Sequence, residues 1–260
     1  MQRVTTLSRS YSRTQIQRYK VALHRWILRR MSWLLQPLVF LALHPFRTQG
    51  LQGALPLEVG RAWEYRGSVR WSRPDQRVDS AAISWTMQIV ATQDGLEVHG
   101  ALVRGWIQEL AWYQPGQTPG YSVLWVRSGR LYHVATPDSA NAARTLRQAV
   151  APGATPPQGS ELIVDSALAV GHLYGPIEER GDRTDTFYAW YVESMTPIPP
   201  LPGWSLAGPT VLQWRLVYRT APDHQILEVV PGLGITHYVF GHHGTVAEAD
   251  VQLVTVRRAP

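Results

Sequence analysis

Between residues 62 and 256 the chain is a succession of short segments in which apolar and polar residues alternate, separated by turn signals. Segments of this kind are typical of β-strands with one buried face. They follow one another at short, regular intervals, which favours an antiparallel meander over βαβ units. We therefore expect a mainly β fold made of a single antiparallel sheet that is strongly twisted or half-barrel-like, with a β-sandwich as the alternative.

Two hairpins are especially well marked. Tyr121–Val126 and Arg130–Ala135 flank Ser128-Gly129, a pair of residues suited to a two-residue turn. Near the end of the chain, residues 231–253 read as a second hairpin, with the turn Gly241-His242-His243-Gly244. We expect this last hairpin to close a sheet whose first strand begins at Trp63.

A single helical pattern interrupts the strands near residues 138–150. Asp138 or Ser139 can serve as N-cap, and Ala142, Leu146 and Val150 recur at the spacing of one helix face. The pattern predicts one short amphipathic helix packed against the sheet.

Three further predictions concern the middle of the domain. Trp106–Tyr113 reads as a further strand, and the Pro-rich stretch 195–204 is typical of an extended loop. The segment 168–174 (LAVGHLY) repeats the pattern of 57–63 (LEVGRAW), which indicates two related halves, residues 55–150 and 161–256, or a chance similarity between two strand starts.

The positive charge is concentrated at the N-terminus. Residues 1–57 contain nine Lys or Arg and no acidic residue, whereas residues 58–260 carry 16 Arg against 19 acidic residues. Nucleic-acid binding needs clustered positive charge. We therefore expect no nucleic-acid partner for the body of the protein.

Residues 1–54 form a basic leader around an apolar core, residues 31–46. A core of that length matches a signal peptide and is shorter than the roughly 20 residues of a membrane-spanning helix. Positive charge before a short apolar run is the secretory pattern, and a retained N-terminal anchor is the alternative. We expect residues 55–260 to form an extracytoplasmic domain, secreted or in the cell envelope, with membrane association only through the N-terminal segment.

The chain has no cysteine, which excludes disulfides, thiolate metal sites and lipidation at an N-terminal cysteine. Nucleophile elbows, phosphate-binding loops, dinucleotide-binding glycine motifs and HExxH motifs are also missing from the sequence. We therefore predict no catalytic residue and no cofactor.

The turn 241–244 carries the one cluster that suggests chemistry. Imidazole and carboxylate groups together suit zinc or iron, and the candidate ligands are His237, His242, His243 and Glu248. The competing interpretation is a shaped turn, in which the flanking glycines permit positive φ and the histidines bond locally. We favour the turn over a metal site.

The two ends of the body resemble a family of uncharacterised exported bacterial proteins. The resemblance rests on a PLxxGxxWxY segment and a GxGI…YxHHGTxxE hairpin, matched by Pro56, Leu57, Gly60, Trp63, Tyr65, Gly232, Gly234, Ile235, Tyr238, His242, His243, Gly244, Thr245 and Glu248. It implies export and no particular reaction. In general shape the body is also similar to the curved-sheet lipoprotein carriers of the cell envelope, an analogy of architecture alone.

Nine tryptophans lie in residues 55–260, mostly where a strand face would bury them. A curved sheet lined by several of them can hold an apolar ligand on its concave side. We therefore expect a non-enzymatic envelope domain that binds a hydrophobic small molecule or an envelope protein. The alternative is a metal-dependent hydrolase that uses the His-His-Gly turn.

Overall fold

The computed structural model describes residues 55–165, 168–175, 180–204, 206 and 208–258. The leader, with the predictions made for it, lies outside these residues. Among them no helix is long and apolar enough to cross a membrane. The strands are β1 (Ala62–Ser72), β2 (Val78–Gly95), β3 (Val98–Arg104), β4 (Tyr121–Arg127), β5 (Arg130–Thr136), β6 (Glu161–Val164), β7 (Leu173–Tyr174), β8 (Trp190–Ile198), β9 (Val211–Arg219), β10 (Asp223–Val230), β11 (Gly234–His242) and β12 (Ala247–Arg257). The helix α1 spans Ser139–Val150, and two 3-10 turns span Ile107–Trp112 and Pro202–Trp204.

The twelve strands form one nearly closed, barrel-like sheet. Their order is β6-β5-β4-β3-β2-β1-β12-β11-β10-β9-β8-β7, and neighbouring strands are antiparallel. The prediction of a single, strongly curved antiparallel sheet is confirmed, and its β-sandwich alternative is not formed. The predicted closing hairpin is also confirmed, since β11 pairs with β12 and β12 pairs with β1.

The two edges of the sheet, β6 and β7, are joined by side chains. Tyr174 Oη donates to the carbonyl oxygen of Ile163 at 2.8 Å. Trp190 Nε1, on the neighbouring strand β8, donates to Glu161 Oε1 at 3.3 Å. A third contact across this seam pairs His172 with Asp165. Because these links use side chains instead of a backbone ladder, the sheet is closed at the seam by a few specific residues.

Large aromatic side chains fill the interior. Trp63 and Tyr65 are fully buried, and their polar atoms donate to the carbonyl oxygens of Leu233 at 2.6 Å and Ile235 at 3.0 Å. Leu233 directly precedes β11, and Ile235 is the second residue of that strand. The aromatic rings therefore bury apolar area and also tie β1 to β11, across the intervening strand β12.

Strands β1 and β12 approach each other unusually closely at Gly67, whose partner in the pairing is Val251. A Cβ atom added to Gly67 would lie 1.9 Å from Asp250 O and 2.7 Å from Val251 Cα. Only a glycine fits there, because any side chain would collide with the backbone of β12.

Helix α1 has the predicted position and cap. Asp138 Oδ1 accepts from the backbone N–H of Asn141 at 2.7 Å. The helix covers the outer face of β3 and β4, where Leu146 and Val150 are buried. Gly100 allows this approach, since a Cβ added to it would lie 2.5 Å from Leu146 Cδ1.

The prediction of a strand over Trp106–Tyr113 is wrong. Ile107–Trp112 is a 3-10 turn inside the sheet, with Ile107 and Leu110 fully buried. Glu109 fixes it, since its carboxylate accepts from Trp106 N at 3.0 Å and from Gly120 N at 2.8 Å. The carboxylate that caps the first backbone N–H of this turn thus comes from the turn itself, and the buried side chains of the turn fill part of the interior.

The Pro-rich stretch 195–204 is partly a strand and not wholly a loop. Strand β8 continues to Ile198, and Pro197 pairs with Leu212 of β9. Strand β7 pairs only with Trp190 and Tyr191, so β8 has a ladder on one side at Pro197. Proline is tolerated in a strand at such an edge position.

The strand order is symmetric about the β1–β12 pair, with β2–β6 on one side and β11–β7 on the other. The sequence repeat between residues 55–150 and 161–256 stays a prediction.

Candidate ligand-binding site

A cavity of about 760 Å³ opens at the end of the sheet where the β2–β3 and β4–β5 turns meet residues 55–57. Its lining combines aliphatic side chains with polar groups from the two turns: Leu55, Leu57, Asp94, Gly95, Glu97, Val98, His99, Val126, Ser128 and Gly129. The arrangement gives the cavity an apolar floor and a polar rim.

The floor is held in place by the interior core. Leu55, Leu57 and Val126 are buried members of the interior cluster. Leu55 lies against Gly234, where an added Cβ would come within 2.6 Å of Leu55 Cδ1 and 3.0 Å of Trp63 Nε1. Gly234 has a φ of 115°, so this position favours glycine twice over, by conformation and by space.

The rim is formed by two tight turns. Ser128 and Gly129 both have positive φ, 49° and 74°, as the two-residue turn predicted between β4 and β5 requires. In the β2–β3 turn, Glu97 has a φ of 61°. Turns of this kind fix the register of the strands that they join, so they determine which residues stand at the rim.

His99 links the rim to the floor. Its Nδ1 lies 2.5 Å from Asp94 Oδ1, and its Nε2 lies 3.0 Å from the carbonyl oxygen of Leu57. A carbonyl oxygen can only accept, so Nε2 carries a hydrogen and donates it. An ionised Asp94 also accepts, so both contacts are hydrogen bonds only when the ring carries both protons.

Asp94, His99 and Ser128 together suggest a nucleophile, base and orienting carboxylate, but their contacts do not fit that role. A general base needs a free ring nitrogen within reach of the serine hydroxyl. In this protein Nε2 of His99 already donates to Leu57 O, and Nδ1 faces Asp94. The histidine therefore acts as a brace between the β2–β3 turn and residue 57.

The residues predicted as metal ligands lie elsewhere, near the opposite end of β11 and β12. Three of them, His242, His243 and Glu248, line a shallow groove of about 300 Å³ together with Asp250. Glu248 is held by Arg70 at 2.6 Å. Within the described ranges no group of three or more His, Asp or Glu side chains is arranged so that it could hold a metal ion.

The two turn histidines have different environments. His242 Nδ1 lies 2.8 Å from Asp223 Oδ1, and its ring packs on Trp112 with the centroids 4.8 Å apart. His243 is exposed, and its backbone N–H donates to the carbonyl oxygen of Pro222 at 2.6 Å. These bonds join the His-His-Gly turn to the neighbouring β9–β10 turn, and the choice between a shaped turn and a metal site stays a prediction.

His237 lies between two carboxylates on the outer face of the sheet. Its ring nitrogens approach Glu228 Oε2 at 3.4 Å and Asp250 Oδ1 at 2.8 Å. Hydrogen bonding to Glu228, supported by Asp250, raises the pKa of His237 above 6.5 despite its partial burial. The same contact lowers the pKa of Glu228, whose other oxygen is held by Arg215 at 2.7 Å. His237 thus belongs to an ion-pair ladder that crosses the strands.

The tryptophans of the described residues do not line the cavity. Trp63, Trp106 and Trp190 are fully buried within the interior cluster, and among the described residues that line the cavity His99 alone carries an aromatic ring. The ligand surface predicted from tryptophans on the concave face is therefore occupied by packed side chains.

His99, Asp94 and Glu97 were missed by sequence reasoning. The Gln93-Asp94-Gly95 segment signals a turn, which explains its polar residues without any site. The contact between His99 and Leu57 O spans 42 residues and has no sequence signal.

No protein-family model matches the chain, and no curated protein matches it. Two crystal structures are similar over 79% of it. One, from Bacteroides fragilis, is described as a candidate exported protein with a YmcC-like fold; it is 8% identical, 99% of its chain is covered and the TM-score is 0.39. The other, from Parabacteroides distasonis, is described as a candidate lipoprotein; it is 10% identical, 98% covered, with a TM-score of 0.37. Likenesses this distant do not determine what the chain does.

Proposed function

We propose that this protein is a non-enzymatic, extracytoplasmic binding domain that takes a small amphiphilic ligand into the cavity bounded by the β2–β3 and β4–β5 turns. The cavity itself carries the proposal. Its volume of about 760 Å³ is within the range of small-molecule sites, and it joins an apolar floor to a polar rim.

The extracytoplasmic location is supported by the leader. Its basic residues precede a short apolar core, which is the pattern of a signal peptide or N-terminal anchor. The absence of cysteine from the chain means that the domain needs no oxidative folding step in either case.

A binding role is supported over a catalytic one by the contacts of the polar groups. In the cavity, both nitrogens of His99 are engaged by Asp94 and Leu57. In the groove beside the His-His-Gly turn, His242 is engaged by Asp223. Each imidazole is thus held by a partner that serves the fold, and the described residues assemble no activated nucleophile beside it.

The test is a calorimetric titration of the full chain with decyl maltoside, kept below its micelle concentration, which measures the binding affinity. Val126→Phe enlarges a side chain of the cavity floor and is expected to weaken binding at least tenfold. Val78→Phe is the matched control, because Val78 is an exposed residue at the far end of β2. It is expected to bind like the wild type. The leader is the same in all three proteins, so detergent bound to it cancels in the comparison.

Equal binding by Val126→Phe and wild type would overturn the proposal. Thermal unfolding of each variant shows whether the enlarged side chain is accommodated. If the Phe variant does not fold, Val126→Leu replaces it. The smaller increase in volume is then expected to give a smaller loss of affinity in the same direction.

A further inference from the structure

The charge of the cavity lining is negative in either protonation state of its histidine. Asp94 and Glu97 contribute two carboxylates, and His99 contributes at most one positive charge. Glu97 makes no ion pair within the part of the chain that the structure describes. At least one carboxylate at the rim therefore has no ion-pair partner among the described residues.

The two arginines that flank the Ser128-Gly129 turn, Arg127 and Arg130, do not line the cavity. The Arg127 guanidinium donates to the carbonyl oxygens of Ala154 and, at 3.2 Å, Ala149, at the end of helix α1. The Arg130 guanidinium pairs with Asp165 at 3.1 Å. Neither arginine forms an ion pair with Asp94 or Glu97 in the part of the chain that the structure describes.

The charged and apolar parts of the cavity are separated in space. The side chain of Asp94 is 85% exposed and that of His99 42% exposed, so the carboxylate lies at the solvent side of the rim. Leu55 and Leu57 are buried at 3% and 6% exposure, so the apolar groups lie at the bottom. A ligand that fits this polarity places a hydrocarbon chain on the floor and a polar head at the carboxylates.

We infer that the cavity selects amphiphiles with a cationic head group, such as an alkylammonium, over anionic ones of the same chain length. This rests on the proposed function and adds the class of its ligand. An ammonium head at the rim is attracted by Asp94 and Glu97, whereas a sulfate or phosphate head is repelled by them.

The experiment compares three ten-carbon probes on the full chain, each below its micelle concentration: decyltrimethylammonium, decyl maltoside and decyl sulfate. The cationic probe is expected to bind best and the anionic probe worst. Glu97→Gln keeps the size of the side chain and removes its charge. For a partly exposed charge pair, we expect Glu97→Gln to weaken the cationic probe about two- to fivefold and to strengthen the anionic one.

Asp94→Asn and Glu97→Gln together are expected to abolish the preference. Glu248→Gln is the matched control, since it removes an exposed carboxylate near the other end of the sheet. It is expected to leave all three affinities unchanged. The preference for the cationic probe is also expected to shrink when the salt concentration is raised, because the rim is exposed to solvent.

The outcomes separate the two proposals. If decyl sulfate binds as tightly as decyltrimethylammonium and Val126→Phe weakens both, the cavity binds ligands but the charge selection is refuted. A preference that persists in the doubly neutralised variant refutes the charge selection as well. If Val126→Phe does not weaken the binding of any of the three probes relative to the wild type, the proposed function is refuted and the inference with it.

Discussion

Replacing Gly67 by alanine is expected to separate the two strands that join the halves of the sheet. The added Cβ would lie 1.9 Å from Asp250 O, a backbone atom of β12 that no side-chain rotation can move. Gly241→Ala is the matched control. An added Cβ there meets no atom within 4 Å, and Gly241 lies in the neighbouring strand β11.

The magnitude follows from the distance. The optimal separation between non-bonded heavy atoms is about 3.5 Å. Strands β1 and β12 must therefore move apart by roughly 1.5 Å at this point. That displacement stretches the adjacent backbone hydrogen bonds beyond their usual range of about 3.2 Å. Losing two of them at about 1 kcal/mol each, with about 1 kcal/mol or more of strain, lowers the free energy of unfolding by about 3 kcal/mol.

The assay is unfolding in guanidinium, monitored by tryptophan fluorescence. The midpoints can be compared if the free energy of unfolding depends on the guanidinium concentration with the same slope in all proteins. Gly67→Ala is expected to lower the guanidinium midpoint and, in a separate thermal scan, to lower the melting temperature by about 6 to 12 °C for a domain of this size. Gly241→Ala is expected to be neutral or to stabilise by up to about 1 kcal/mol, because alanine restricts the unfolded chain. If the two variants are equally stable, the close approach of β1 and β12 at Gly67 is refuted.

Two further predictions concern histidines. Because the pKa of His237 is raised above 6.5 and that of Glu228 is lowered below 4.5, their pairing stabilises the fold fully only between these values. The free energy of unfolding is expected to fall as the pH rises through the raised pKa of His237. Unfolding of the wild type and of His237→Gln at pH 5.5 and 9 checks this. If the variant loses as much stability between the two pH values as the wild type does, the prediction is contradicted. In the turn, His242→Ala is expected to cost about 1 to 2 kcal/mol, since it loses Asp223 and the ring contact with Trp112, while His243→Ala changes stability by less than about 0.5 kcal/mol. Stoichiometric zinc or iron in the wild type that both variants lose would instead support the metal site.

Features set by neighbouring residues could be predicted from the sequence. The turn at Ser128-Gly129 and the cap at Asp138 depend on local conformation and a bond to a residue three positions away. The alternation of buried and exposed residues likewise fixes which face of β11 and β12 points inward.

Features set by distant residues could not be predicted. The aromatic and apolar residues of Trp106–Tyr113 favour a strand, whereas the 3-10 turn is fixed by Glu109, whose carboxylate accepts from the distant Gly120 N. The cavity depends in the same way on contacts that join Leu55 and Leu57 to strands more than forty positions further along the chain. Local periodicity carries no information about such contacts.

The position of β12 has a consequence for when the domain can fold. Every other strand pair joins strands that are neighbours in sequence, so the two halves can assemble as local meanders. Of the strand pairs that the structure describes, only β1–β12 joins the beginning of the domain to its end. Until Ala247–Arg257 has been synthesised, β1 has an open edge that can pair with other chains. Loop closure over nearly the whole domain then becomes the late, slow step, and a chain that ends before β12 is expected to aggregate instead of folding.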